Sequence, residues 1–543
     1  MKASKTILIN NKELLLSIII FVLFLAVSLP GIRWGAPALW NPDELVWRVD
    51  SALRGELIFD VSEPDYNYPS LPKYVMYAIG SITYGLGKSN FAFIVAARVF
   101  SAVLGGLSGV LIYHLARLIG LETKSAVLAA IFYIVSGTAA ANGRFAHNDL
   151  YLQLFTILCV YCIIKYQQSG INNWLYGSFL AVGLAASSKY TGGSLILLPA
   201  LVCFISGRQP LWKRLGIIAF GGFISYIGYA IGTPKAFVEP VHYFLSVIPA
   251  LQNYPQYGFN SGASIGLWGQ WAVFKSAVGI FCYYFFLLSL LWFIVKFFLW
   301  KTKRITMKHQ EAGAAGILLG VILIFDLPFM ISINYIERYF IPFIPFLAIL
   351  AAITVKDLIS FTRNKNLKFA QYAFTAIVMV GIGYSILRLA SIALLFMNDA
   401  RIPASEYIAS IHGFGKSIEY TLYPPMIDKK RFSRAHNYPI YFVKYPGDIV
   451  PTGGRHEYNK GEQGLLERNT DYFVIDSYTY QRFYTQSICD TNVVECDFFK
   501  RLLDGEVTTY QLEKEFSYNL PPYLPKVFIS AVNPYIKIYQ RAP

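Results

Sequence analysis

Runs of roughly 18 to 25 apolar residues, almost without charge, recur up to about residue 397 of this chain, and each is long enough to cross a bilayer as a helix. In hydrocarbon every main-chain N–H and C=O must find a partner inside the protein, so such a chain folds as a bundle of helices. Composition agrees: of 543 residues, 55% are hydrophobic and only 15% charged, against about a quarter charged in soluble domains. An ordinary water-soluble fold is excluded. The excess of 47 Lys and Arg over 32 Asp and Glu gives a net charge of +15, which in a soluble chain would raise nucleic-acid binding. Membrane orientation accounts for it here, and nucleic acid is not an expected partner. Six cysteines, with no CxxC pair and no Cys/His cluster at zinc spacing, indicate neither a metal module nor a disulfide-rich scaffold.

Lys2, Lys5 and Lys12 before the run 14–29 resemble the start of a signal peptide. The run is long, however, and residues 31–40 offer no convincing small-residue cleavage site, so it reads as a retained first helix. Placing the lysines inside puts residues from about 33 onward outside. The piece 71–86, interrupted by Pro72, Gly80 and Gly85, either crosses or lies along the interface. Charge decides: only as a juxtamembrane helix does it leave Arg117 and Lys124, after the run 91–115, inside.

Further spans are expected at 125–142, 150–166, 173–187, 190–206, 215–232, 271–299, 313–332, 339–355 and 370–396, about eleven in all. The clusters Arg208/Lys213/Arg214, Lys301/Lys303/Arg304/Lys308 and Lys356/Arg363/Lys365/Lys368 then all fall inside. The expected fold is a polytopic α-helical membrane domain, 1–397, with juxtamembrane helices in its first external loop. A small C-terminal extracytoplasmic α/β domain, 398–543, follows, with strand-like segments at 472–475 and 535–539. Cys489 and Cys496 within it either pair, as an oxidising exterior permits, or remain two half-buried thiols.

An ionised side chain is costly in hydrocarbon, so charges at span ends are candidate functional groups, each weighed against snorkelling or local pairing. Four groups gather at the outer boundary. Trp40-Asn41-Pro42-Asp43-Glu44 alone reads most simply as helix capping after a proline. In Gly143-Arg144-Phe145-Ala146-His147-Asn148-Asp149 the aspartate opens a span, and Arg144 reads equally as a snorkelling side chain. Ser187-Ser188-Lys189-Tyr190-Thr191 sets a lone lysine against the positive-inside trend. Tyr335-Ile336-Glu337-Arg338-Tyr339 holds adjacent charges that point different ways and need other partners. Together they are what a membrane enzyme needs to move a lipid-phosphate headgroup to a hydroxyl: carboxylates take the proton, and Arg and Lys hold the phosphate. A transporter would place charges near mid-depth in two related halves, and no repeat is visible.

At these residues the sequence resembles the GT-C glycosyltransferases of family 39, the protein O-mannosyltransferase and aminoarabinose-transferase type, in order over almost the whole membrane part. Trp40 to Glu44 resembles the acidic pair of the first external loop, and Tyr68-Pro69-Ser70-Leu71-Pro72-Lys73 the proline-rich segment before the second crossing. Ala97-Arg98-Val99 falls where the family has Ala-Arg-Leu, and Arg144 to Asp149 resembles the Arg-x-Ala-x-x-Asp element. Ser188-Lys189-Tyr190 resembles the Thr-Lys-Tyr turn, and Glu337-Arg338-Tyr339-Phe340-Ile341-Pro342 the Arg-Tyr-x-x-Pro turn.

The resemblance implies a GT-C fold and an inverting glycosyltransferase. Its donor is a polyprenyl-phosphate-linked sugar, and its acceptor a hydroxyl of a protein, lipid or glycan at the extracytoplasmic face. Asp43 is then the general base, Glu44 orients the site, and Asp149 is a second acid that positions the acceptor. Lys189 and Arg338, with Arg144 and Arg98 behind them, become candidates for the carrier phosphate. A divalent cation, if one is used, would fall to Asp43 and Asp149, and no other cofactor is implied. Asn67-Tyr68-Pro69 stands where the aminoarabinose transferases have Glu-Lys-Pro, with Glu63 or Asp65 nearby to compensate. Pro69 to Lys73 only approximates the eukaryotic Pro-Pro-Leu-Gly-Lys, and no loop is long enough for the eukaryotic β-trefoil insert. The expectation is therefore a prokaryotic member in the plasma or inner membrane, with its N-terminus cytoplasmic. Its rivals are a lipid-linked sugar flippase and a polysaccharide polymerase or ligase using a lipid-linked oligosaccharide.

Overall fold

The computed structural model describes residues 11–46, 68–87, 89–205, 209–253, 267–302, 309–330, 336–441 and 457–543. Lys2, Lys5, Glu63, Asp65, Asn67, Arg208, Lys303, Arg304, Lys308 and Tyr335, singled out in the sequence, lie outside the described residues. Hydrophobic length becomes helix. Among the described residues, seven helices are long and apolar enough to cross a membrane. They are Asn11–Ser28, Asn90–Leu118, Asp149–Ser169, Leu211–Gly232, Ile280–Lys301, Ile344–Asn364 and the 30-residue Lys368–Met397, which leads into Arg401–Ser410. The other expected spans fall on shorter helices: Thr123–Val135, Asn172–Ser188, Tyr190–Ile205 and Ala312–Leu327. The chain is an integral membrane protein of the multi-pass kind. The piece read as juxtamembrane is the helix Leu71–Gly87, packed on Asn90–Leu118.

The bundle has two distinguishable ends. At one, Thr233 Oγ1 meets Ser187 Oγ at 2.8 Å and accepts from the Ser70 amide at 3.4 Å, which brings the ends of Leu211–Gly232 and Asn172–Ser188 to the start of Leu71–Gly87. At the other, Ile119 to Leu121, Lys296, Lys356 and Asp357 line one small cavity, with Lys296 paired to Asp357 at 2.6 Å. Lys213 and Arg214, at the start of Leu211–Gly232, belong to that second end.

Two helical rods are interrupted inside the apolar interior, at Gly137 (φ 80°) between Thr123–Val135 and Thr138–Asn142, and at Gly279 (φ 79°) between Leu267–Val278 and Ile280–Lys301. Both turns need the left-handed backbone that glycine adopts without strain. A break strands carbonyls where no water can serve them. Arg388, buried on the Lys368–Met397 helix, meets both breaks: it donates to Ser136 O at 2.8 Å and to Ser276 O and Ala277 O at 2.7 Å each. Thr138 Oγ1 also reaches Ala277 O, at 2.7 Å.

Beyond Met397 the chain changes character. A five-stranded sheet of order β2-β1-β3-β5-β4 is built from β1 Ser417–Tyr420, β2 Arg434–Asn437, β3 Tyr472–Asp476, β4 Tyr510–Phe516 and β5 Ile536–Arg541. β1 runs parallel to β2 and β3, with Ile418 opposite Tyr472, and β5 runs antiparallel to β3 and β4, with Val474 opposite Ile538. β3, buried along its whole length, is the central strand, as its unbroken Tyr-Phe-Val-Ile run suits. The helix Val493–Asp504 packs Phe498, Phe499 and Leu502 into the same core as Phe473, and Cys489 is disulfide-bonded to Cys496 across a Cα separation of 5.3 Å.

This portion is bound to the membrane bundle through a fully buried carboxylate. Asp399 accepts from Trp34 Nε1 (2.8 Å), from Arg401 Nε (3.0 Å) and a terminal nitrogen (2.8 Å), and from the Asn533 amide (2.6 Å). The Arg401 guanidinium lies over Trp40 (4.4 Å) and Trp34 (5.0 Å) and donates to Ala531 O at 2.7 Å. Val532 is thereby packed into the core of the bundle.

Arg388→Met is expected to leave Ser136 O and Ser276 O without a donor, at a cost of about 3 kcal/mol. Its thermal midpoint in detergent and its folded yield should fall, while Lys365→Met at an exposed helix end leaves both unchanged. Equal midpoints for the two variants would show that the breaks do not need Arg388.

Candidate active site

The first loop is folded by its own buried acid. Glu44 is fully buried and gripped in a fork by Arg98, with Nε at 2.8 Å and a terminal nitrogen at 2.7 Å. Its Oε1 also accepts from the Ala146 amide at 2.8 Å, beside a main-chain bond from Leu45 N to Ala146 O at 2.9 Å. Arg98 further donates to Ile32 O at 3.1 Å and to Trp34 O. Loop 31–46 is therefore tied to the turn 143–149. Arg144 completes this frame from below, donating to Pro30 O (2.7 Å), Ala140 O (2.7 Å) and Val27 O (2.6 Å), with its guanidinium 5.1 Å from the Phe396 ring. Arg98 and Arg144 are both fully buried. The sequence offered them as phosphate ligands, but the structure directs their donors at Glu44 and at main-chain carbonyls.

The frame leaves Asp43 facing outward with 44% of its side chain exposed. Its amide bonds back to Asn41 Oδ1 at 3.1 Å, which holds the short turn after Trp40. Asp43 Oδ2 accepts from Arg338 at 2.8 Å, and Arg338 Nε stands 3.8 Å from Asp149 Oδ2. Asp149 is fully buried in the first turn of Asp149–Ser169, where the helix's positive end favours an acid. Its two oxygens are taken by Lys189 Nζ at 2.8 Å and His147 Nδ1 at 2.7 Å. Lys189 ends the helix Asn172–Ser188 and sits 4.8 Å from the centre of the Tyr339 ring. Asn148 Nδ2 bonds Ser188 O at 3.0 Å, joining the two turns. Asp43, Asp149, Lys189 and Arg338 thus form one connected cluster, at the same end of the bundle as Ser187 and Thr233.

The charges of this cluster balance, two acids against two bases, and each shifts its neighbour. Arg338 holds the Asp43 carboxyl below the ordinary carboxylate range, against the desolvation that pulls the other way. Burial, and then Arg338, pushes His147 down, so it is neutral at pH 7. Burial also lowers Lys189, with Asp149 opposing. A carboxylate only accepts, so the hydrogen shared with Asp149 lies on His147 Nδ1, and the buried Nε2 is left as an acceptor with no partner among the described residues.

These residues do not fit a divalent cation. Both oxygens of Asp149 are already held by cationic or N–H donors, and Arg338 stands between Asp149 and Asp43. Among the described residues no three His, Cys, Asp or Glu side chains group as metal ligands.

The sequence assigns His147 no role within its motif. A neutral imidazole at a span end carries none of the charge that marked the other candidates, so only the geometry singles it out. Glu337, also without a role in the sequence, is burdened from behind: Ser530 Oγ donates to its Oε2 at 2.8 Å, so the C-terminal portion touches the residue next to Arg338.

Comparison with known proteins adds likenesses of sequence and of fold. Residues 72–243 match the protein-family model described as dolichyl-phosphate-mannose-protein mannosyltransferase. That segment holds Arg98, Arg144, Asp149 and Lys189, while Asp43 and Arg338 lie outside it. Over 255 residues, 43% of this chain, the sequence is 26% identical to dolichyl-phosphate-mannose–protein mannosyltransferase 1 of Saccharomyces cerevisiae, and the chain spans 30% of that relative's length. Among solved structures, the archaeal oligosaccharyltransferase AglB from Archaeoglobus fulgidus matches with a TM-score of 0.53 at 11% identity, over 98% of this chain and 88% of that one. ArnT from Cupriavidus metallidurans bound to undecaprenyl phosphate matches with a TM-score of 0.47 at 14% identity, over 97% and 98%. The likeness to AglB shows the shared fold. The expected GT-C fold class is borne out, as is the resemblance to family 39.

Arg98→Met is expected to strand Glu44 as an uncompensated buried charge and to cost about 3–5 kcal/mol. Glu44→Gln added to it should restore part of that loss. Denaturation midpoints of the wild type, both single variants and the double variant would measure the coupling, and additive effects would show that the pair does not hold the loop.

Proposed function

From the family 39 pattern carried by this GT-C chain, we propose that it is an inverting glycosyltransferase. It moves one sugar from a polyprenyl-phosphate carrier to a hydroxyl of a protein, lipid or glycan at the extracytoplasmic face. The observation that carries this reading is the half-exposed Asp43 carboxylate held 2.8 Å from Arg338, in a cluster that also contains Lys189. A base for an incoming hydroxyl and cations for a departing phosphate therefore share one cluster. Orientation follows from charge: Lys213, Lys296 and Lys356 lie at the end opposite the cluster, which the positive-inside rule makes cytoplasmic. The N-terminus is then inside, and residues 398–543 form an extracytoplasmic domain beside the site.

On this reading the acceptor hydroxyl gives its proton to Asp43 as its oxygen bonds to the anomeric carbon. The bond from that carbon to the phosphate oxygen breaks, its electron pair stays on the phosphate, and Lys189 and Arg338 stabilise the added charge. Lys189 has three N–H donors and Arg338 five, so neither is exhausted by its carboxylate partner. Arg98, Arg144 and Glu44 position the loop, and His147 Nε2 is placed to accept a hydrogen bond from a sugar or acceptor hydroxyl. Donor binding also tunes the base. The phosphate's negative charge offsets Arg338, so Asp43 becomes more basic once the donor is bound.

Asp43→Asn keeps the shape and removes the base. Turnover is expected to fall by about 10² to 10⁴ while donor affinity is kept, and full turnover in that variant would reject the role of Asp43. In the wild type, the acid limb of kcat/KM for the donor should lie below the ordinary carboxylate value of about 3.9, because Arg338 depresses Asp43 in the donor-free enzyme. The limb of kcat should lie at higher pH; coincident limbs would show that the phosphate does not approach Arg338. Mass spectrometry of secreted proteins, envelope lipids and glycans from cells with and without the gene identifies the acceptor. A lipid-linked sugar that crosses the bilayer but is never transferred would favour the flippase.

A further inference from the structure

A second concavity lies at the same end of the bundle, and no residue of the charged cluster lines it. It is a cavity of about 550 Å³ between the loop after the first helix, the end of Lys368–Met397 and the helix Arg401–Ser410, within the size range of small-molecule sites. Leu29 follows the last residue of the first spanning helix, and Phe396 and Met397 close another. Their presence in the lining sets the cavity at the boundary between hydrocarbon and water. Ile32 and Ile402 extend the apolar lining. Two exposed charges of opposite sign complete it, Arg33 and Glu406. Trp40 forms part of the wall, and its indole Nε1, on a residue only 6% exposed, has no hydrogen-bond partner among the described residues.

Apolar lining at acyl depth, a cation and a carboxylate at the surface, and a buried N–H donor together describe an amphiphile with both charges in its head. We propose that this cavity holds a membrane phospholipid with an ethanolamine headgroup, its phosphate on Arg33, its ammonium on Glu406 and the start of an acyl chain along Leu29, Ile32 and Met397. The lipid is distinct from a sugar donor. It braces the loop that carries Asp43, because Trp40 stands three positions before Asp43 and its carbonyl accepts from Arg401 at 3.4 Å.

The test uses the full chain, stripped of lipid in detergent and titrated with dioleoyl phosphatidylethanolamine or dioleoyl phosphatidylglycerol under native mass spectrometry. It needs no sugar-transfer assay, so its result stands apart from the reading of Asp43. The wild type should retain one ethanolamine lipid in preference to the glycerol lipid. Glu406→Gln should reduce that preference about fivefold, and Arg33→Gln should weaken both lipids about fivefold, the value of one charge near a membrane surface. Ile402→Trp, which fills the cavity, should abolish the tightly held adduct. All three sites are exposed in whole or in part, and unchanged melting confirms folding. Adducts and preference unchanged in all three variants would overturn the proposal, as would a tight adduct with a hydrophobic peptide but none with phospholipid.

Discussion

A charge taken out of water must meet an opposite charge or a set of dipoles before the chain can fold around it, and that requirement organises this molecule. Glu44 has Arg98, Asp399 has Arg401 and Trp34, and Arg144 and Arg388 have main-chain carbonyls. The contacts Glu44–Arg98, Asp399–Trp34, Arg144–Pro30 and Arg388–Ser136 each join segments far apart in sequence, so the same contacts that neutralise charge also fix the geometry. Asp43 differs from these: it has an ionic partner, yet nearly half of its side chain remains open to solvent. A carboxylate that is both charged and reachable is what proton abstraction requires, and the neighbouring buried pairs hold it in place.

The C-terminal portion enters the same scheme. Asp399 and Arg401 bring residues 531–533 against Trp34 and Trp40, and Ser530 reaches Glu337 beside Arg338. The C-terminal portion thus borders the charged cluster as well as extending from the bundle. Its contacts fall on both loops that supply the cluster, the first loop with Asp43 and the late turn with Arg338. A shift in how it docks would move both at once.

How much of this was legible in the sequence depended on whether the signal was composition or direction. Helix positions followed from apolar length. Asp43, Asp149, Lys189 and Arg338 were visible because charge at a span end is unexpected, and the structure brings all four together. Arg144 carried the same signal and Arg98 entered only through the family resemblance, but no spacing rule reveals that their donors end on Glu44 and on carbonyls from residues 27–34 and 140. Arg388 was passed over inside the run 370–396, because the helix breaks it serves belong to other segments. His147 lacked charge to mark it, and Asp399 and Arg401 appeared only as a change of composition at a boundary. The pairing of Cys489 with Cys496, which the sequence left open, depended on a loop geometry that spacing alone does not fix.

The span between Asp43 and Arg338 has a consequence for biogenesis. Lys189 lies 40 residues from Asp149, whereas 295 residues separate Asp43 from Arg338. During synthesis the early half can settle its own lysine and aspartate, but the first-loop acid waits until the late helices have been inserted. A ribosome-bound intermediate therefore carries a partly formed cluster with Asp43 still unmatched. The last segments to enter the bilayer are the ones that complete the charged cluster, so truncated chains should lack it however well their early helices pack.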